Sequence, residues 1–101
     1  MATSKLKALS VTAVKKRLPE VAGWSLSRGA LRREFRFDNF VRSLEFVNKV
    51  GAMAEEANHH PDIDIRYSRV KLSLSTHDVG GISEKDFSLA AAINQKGAAR
   101  E

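Results

Sequence analysis

The sequence predicts an α+β domain: a four-stranded antiparallel sheet with helices covering one face, in the order αββαββα. Two observations lead there. Apolar residues recur at helical spacing in three separate stretches, and between these stretches lie two pairs of short segments in which apolar and polar residues alternate with period two. Helices and strands that each show one apolar side bury it by packing as two layers. At 101 residues the chain builds a single modest core. A domain of this size does not enclose a deep substrate cavity by itself, so an oligomer is expected.

Residues 1–9 (MATSKLKAL) are small and basic, with Leu6 and Leu9 as the only anchors, and are expected to be flexible. Ser10 is placed to cap a short helix in which Val11, Val14 and Leu18 share a stripe and which Pro19 stops. Trp24–Ser27 and Leu31–Phe37 then read as strands joined by a turn at Arg28-Gly29. In the second of these, Leu31, Arg33, Phe35 and Phe37 lie on one face, and Arg33 breaks the apolar pattern.

Asp38 or Asn39 caps a long helix running to about Ala57. Phe40, Leu44, Val47, Gly51 and Ala54 form its stripe, and Val41, Phe46, Val50 and Met53 widen the apolar surface beyond what packing on one sheet needs. Either the helix is sandwiched in the core or part of it is a subunit interface, and in so small a domain the interface is favoured; Gly51 in mid-helix points to close approach by another backbone. After Pro61, Ile63, Ile65 and Tyr67 alternate with polar residues in one strand, and Val70, Leu72, Leu74 and Thr76 do so in the next, which ends at His77. The segment Ser83-Glu84-Lys85-Asp86 has capping-box spacing and opens a last helix through Phe87, Ala90, Ala91 and Asn94, closed by Gly97. The domain is therefore 10–97, and the tail 98–101 is expected to be flexible.

Composition excludes several classes. Without cysteine there is no disulfide, thiolate metal site or thiol nucleophile, and no stretch approaches the roughly 20 apolar residues that span a bilayer. A soluble cytoplasmic protein is expected, with a nuclear location left open. The net charge of +5 is concentrated early: residues 1–37 hold nine Lys/Arg against Glu20 and Glu34. Core-forming residues interrupt these basic positions and no nucleic-acid motif accompanies them, so they read as a solvated face.

All three histidines fall between Glu55 and Asp86, which makes acid/base work the first chemical hypothesis. Glu55 precedes His59 by four residues, so a helix reaching His59 would let the carboxylate orient that imidazole. Pro61 disfavours helix at His60, so the adjacent histidines should diverge. His77 lies on the strand parity opposite Val70, Leu72 and Leu74, which leaves its convergence with the other two open. Asp86 reads equally well as a helix cap. A metal site on His59, His77 and Glu55 is a rival that matches no standard zinc spacing.

Glu55-x-x-x-His59-His60-Pro61, then five residues to Tyr67, nine to His77 and eight to Asp86, resembles the signature of the pterin-4a-carbinolamine dehydratases. The likeness runs from Ser10 to Gln95 and includes Gly23-Trp24 and the THDVGGISEKD segment. It implies an αββαββα fold assembling as a dimer or a dimer of dimers, and a dehydratase without metal or cofactor. Such an enzyme acts on 4a-hydroxytetrahydropterin in tetrahydrobiopterin recycling. By resemblance, His59, His60 and His77 form the site, two as acid and base and one binding the pterin. Glu55 orients, Lys85 and Asp86 line the rim, and Asn58 and Pro61 flank the pterin. Asn58 stands where relatives often carry Asp, and Ile63 where they often carry an aromatic residue. Animal members also act as dimerisation cofactors for a homeodomain factor, which would use the long helix as a protein-interaction surface.

Overall fold

The computed structural model describes residues 6–97. Of the segments expected to be flexible, 1–9 and 98–101, residues 1–5 and 98–101 lie outside the described residues, while the Leu9 N–H donates to the Ile82 carbonyl (2.7 Å). The elements run α1 (Val11–Arg17), a 3-10 turn (Leu18–Glu20), β1 (Ser25–Ser27), β2 (Ala30–Arg36), α2 (Phe40–Ala57), β3 (Asp62–Arg66), β4 (Arg69–Leu74), a 3-10 turn (His77–Val79), α3 (Glu84–Ala92) and a π turn (Ile93–Gly97). The four strands form one antiparallel sheet in the order β1-β2-β4-β3.

Two tight hairpins set this order. Arg28 (φ 50°) and Gly29 (φ 76°) are both left-handed, the mirror-image turn whose twist matches that of the flanking strands. Between β3 and β4 the turn is Tyr67-Ser68, with Arg66 opposite Arg69. Tyr67 therefore belongs to the turn (φ 51°) and not to the strand that its alternation suggested. The β2–β4 register, from Leu31 opposite Leu74 to Arg36 opposite Arg69, brings the two hairpins together through their inner strands.

Those inner strands supply the floor of the core. Leu31 and Phe35 of β2 and Val70, Leu72 and Leu74 of β4 are fully buried. The helices cover this one face. Phe46 of α2 packs its ring against Phe35 (4.6 Å between centroids) and Phe37 (5.0 Å), while α3 contributes Phe87, Leu89 and Ala90.

Several helical details differ from the sequence reading. In α1 only Val14 is buried, and Val11 is 60% exposed, because a seven-residue helix at the edge of the core turns one residue inward. In α2 the inward stripe is Ser43, Phe46, Val50 and Ala54, and Phe40 and Leu44 face outward. The ring contacts of Phe46 and the hydrogen bond from Ser43 Oγ to the Tyr67 carbonyl (2.7 Å) fix that rotation. Within this chain a Cβ at Gly51 would meet nothing within 4 Å among the described residues, so no backbone of the same chain approaches it. A tight contact occurs at Gly97, where a Cβ would lie 3.2 Å from Met53 Cε and Phe46 Cε1.

Arg33 is on the core face because it has partners there. Its guanidinium lies over the Phe35 ring (4.3 Å) and donates to Asn94 Oδ1 (2.7 Å) and the Ala22 carbonyl (3.1 Å). Trp24 Nε1 donates to the same Asn94 oxygen (2.8 Å), and Asn94 Nδ2 returns a bond to the Ala22 carbonyl (2.9 Å). This node joins the residue before β1, the middle of β2 and the π turn that follows α3. Gly23 (φ 87°) threads it, and a Cβ there would sit 2.6 Å from Arg33 Nε. Gly23→Ala is therefore expected to cost about 1–2 kcal/mol for the left-handed backbone alone. It should lower the urea midpoint, and an unchanged midpoint would show that the node tolerates a side chain.

Candidate active site

The end of α2 decides where the histidines go. Asn58 adopts a left-handed conformation (φ 52°, ψ 43°), which asparagine tolerates better than most residues. Its N–H donates to the Glu55 carbonyl (3.2 Å) and the His59 N–H donates to the Ala54 carbonyl (3.1 Å), a Schellman closure of the helix. The reversal carries His59 back toward α3, and Pro61 then leads into β3.

His59 Nε2 lies 2.5 Å from Asp86 Oδ1. The His59 side chain is 11% exposed and Asp86 is fully buried. Asp86 is the third residue of α3, and its Oδ2 accepts the Ser83 N–H (2.9 Å) that closes the capping box. The same oxygen accepts from Thr76 Oγ1 (2.8 Å), which is 2.7 Å from Ser83 Oγ. Thr76 reaches this point because it bridges Gly81 just beyond β4, and the His77–Val79 turn closes between them with Gly80 left-handed (φ 70°). A carboxylate only accepts hydrogen bonds, so His59 donates from Nε2. Nδ1, which makes no hydrogen bond among the described residues, is then the free nitrogen.

The pairing expected between Glu55 and His59 is not formed. Glu55 Oε2 instead lies 2.5 Å from His60 Nε2, and both side chains are exposed. The left-handed Asn58 explains the exchange, because it takes His59 off the helical face that Glu55 occupies. Asp86 likewise does not line a rim; it lies beneath His59. His77 begins the 3-10 turn after β4, so the parity expected of a strand residue does not apply. It is exposed and follows Thr76 directly. The structure thus joins His59 to the segment containing His77 through Asp86 and Thr76, and joins His60 to Glu55, without a hydrogen bond between histidines. The metal triad of His59, His77 and Glu55 is not assembled, and among the described residues no group of three or more acidic, histidine or cysteine side chains is placed to hold an ion.

A cavity of about 390 Å³ lies between the end of α2 and α3, with Met53, Ala57, His59, Lys85, Leu89 and Lys96 among its lining residues. His59 and Lys85 therefore share one wall system, while Asn58 is exposed and Pro61 half-buried. The residue that sequence reasoning missed is Thr76. Its signal was present: a hydroxyl on the otherwise apolar side of β4, following Val70, Leu72 and Leu74, needs a buried hydrogen-bond partner.

Comparison with known proteins gives a consistent result. The family model for Pterin 4 alpha carbinolamine dehydratase matches residues 7–96. A Sulfolobus acidocaldarius protein provisionally named pterin-4-alpha-carbinolamine dehydratase is 50% identical over 82 residues, covering 81% of this chain and 90% of the relative. One from Chloroflexus aurantiacus, provisionally given the same name, is 51% identical over 87 residues, covering 86% and 94%. Among solved structures, a transcriptional coactivator/pterin dehydratase from Brucella melitensis superposes with TM-score 0.85 at 28% identity, over 90% of this chain and 99% of that one.

The two carboxylate–imidazole pairs differ in burial and should differ in worth. Asp86→Ala removes a helix cap and leaves the buried Thr76 hydroxyl and Ser83 N–H without an acceptor, so a loss of at least about 2 kcal/mol is expected. Glu55→Gln, at the exposed pair, should change stability by no more than about 0.5 kcal/mol. Urea denaturation of both variants checks this, and equal shifts would contradict it.

Proposed function

Because the chain belongs to the pterin 4 alpha carbinolamine dehydratase family, we propose that it converts 4a-hydroxytetrahydropterin to quinonoid dihydropterin and water, in tetrahydrobiopterin recycling. The observation that carries this reading is His59, held through Nε2 by a buried carboxylate with Nδ1 left free, directly beside the exposed His60. The reaction breaks the bond from C4a to its hydroxyl, removes the N5 proton and forms the C4a–N5 double bond. No electrons are gained or lost. One group must protonate the departing oxygen and another must accept the N5 proton.

His59 suits the base role, since its free Nδ1 is an acceptor and Asp86 supports the charge the ring gains. His60 suits the acid role, because an exposed imidazole is reloaded with a proton from water after each turnover. His77, on the turn that follows Thr76, is assigned to pterin binding, with Lys85 of the cavity wall and, by the family resemblance, Asn58 and Pro61. The wild-type protein should accelerate carbinolamine dehydration. Folded His59→Ala and His60→Ala should each lose about 10²-fold or more of that rate, and His77→Ala should act chiefly through a raised KM. A wild type no faster than buffer overturns the function. A fully active His59→Ala overturns the role given to His59.

A second reading concerns the outer face of α2. Phe40 (44% exposed), Val41 (62%) and Leu44 (39%) form an apolar strip there, and Phe40 stacks on Tyr67 with the rings 5° from parallel. Such a strip supports self-association into a homodimer or homotetramer, or capture of a protein partner. The Val41→Glu/Leu44→Glu double variant is expected to sediment as a smaller species than wild type. Identical sedimentation of an oligomeric wild type and the variant would remove α2 from the subunit contact.

A further inference from the structure

We propose that Thr76 and Ser83 are positioning residues for His59, acting through Asp86. The direction of every bond in this cluster follows from the carboxylate being an acceptor only. Thr76 has one hydroxyl hydrogen and gives it to Asp86 Oδ2, so the contact between the two hydroxyls is a donation from Ser83 Oγ to Thr76 Oγ1. Ser83 Oγ in turn accepts the Lys85 N–H (3.2 Å). The chain runs from Lys85 N–H through Ser83 and Thr76 to Asp86, and Asp86 holds His59 from the other side.

Capping alone does not account for Thr76. The capping box is complete with the Ser83 hydroxyl and the bond from Ser83 N–H to Asp86 Oδ2. Thr76 comes from a different element, ten residues away, and its hydroxyl adds a second donor to that oxygen. The terminal torsion of an aspartate is broad and roughly two-fold, so one donor leaves the carboxylate free to rock. Two donors on Oδ2 hold the plane and leave Oδ1 aimed at His59. Because His77 follows Thr76 in the chain, the same hydroxyl also fixes the start of the His77 turn relative to His59.

The test compares wild type with Thr76→Val and Thr76→Ser, each labelled with 15N-histidine, by long-range proton–nitrogen correlation at about pH 8, above the ordinary histidine range. His59→Gln assigns the signal. Wild type and Thr76→Ser should show His59 as the single Nε2–H tautomer, and Thr76→Val should show a mixture of tautomers. In carbinolamine dehydration, Thr76→Val should lose about tenfold in kcat with KM little changed, the factor that one hydrogen bond to a charged group supplies, and Thr76→Ser should recover it. The rate measurement rests on the proposed dehydratase reading, whereas the tautomer is read without substrate, so failure of one is distinguishable from failure of the other. A folded Thr76→Val that keeps a single Nε2–H tautomer overturns the proposal. Should that variant not fold, Thr76→Ala removes the same hydroxyl with less bulk and is read by the same outcomes.

Discussion

A fully buried carboxylate imposes the strictest constraint in this molecule. Asp86 is cut off from water, and a buried anion without donors costs far more than one domain's stability can absorb. Its donors come from three places in the chain: Ser83 at the start of α3, Thr76 beyond β4, and His59 beyond α2. The exit of the long helix, the end of the central strand and the start of the last helix are therefore held at one group. None of the three can move away without leaving that group, or one of its donors, unpaired.

The opposite end of α3 is held by an independent polar node. Asn94 receives Trp24 and Arg33 and donates to the Ala22 carbonyl, so the last helical segment is fixed to the first hairpin. Between the two nodes, α3 rests on the sheet through Phe87, Leu89, Ala90 and Ile93. Apolar burial attracts the helix to the sheet without specifying its rotation. The directional bonds at each end supply what burial lacks, and this is how His59 acquires a definite orientation in a domain with so small a core.

Much of this was legible in the sequence, and the failures share a cause. Period-two and helical patterns located the four strands and three α-helices of the described residues, Ser10 and Ser83 appeared as caps, Asn39 was one of two candidates with Asp38, and the capping-box spacing was correct. What misled was the assumption that helical spacing continues to the last residue before a break. The Glu55–His59 pairing requires helix through residue 59, but the left-handed Asn58 ends it first. The stripe on α2 failed for a related reason. Two apolar stripes compete on that helix, and the choice between them was made by Phe46 meeting Phe35 and Phe37, contacts between distant parts of the chain that no local pattern encodes. Arg33 was an anomaly within a strand pattern and Thr76 was passed over as part of one, and each marks a polar contact inside the fold.

A carboxylate at the third position of a capping box uses one oxygen on its own helix and leaves the second with unspent lone pairs. If the helix start is exposed, water takes them. If it is buried, as here, something in the protein must donate, and an imidazole at the end of a neighbouring helix does so while keeping its other nitrogen free. The capping role of Asp86 and its contact with His59 are thus not alternatives. Burying the cap creates the requirement for a donor, and a histidine that meets it is held in place with its other nitrogen free. The exposed Glu55–His60 pair is under no such requirement, since water can replace either partner. The dehydration proposed above would use both, one proton site of fixed geometry and another in rapid exchange with solvent.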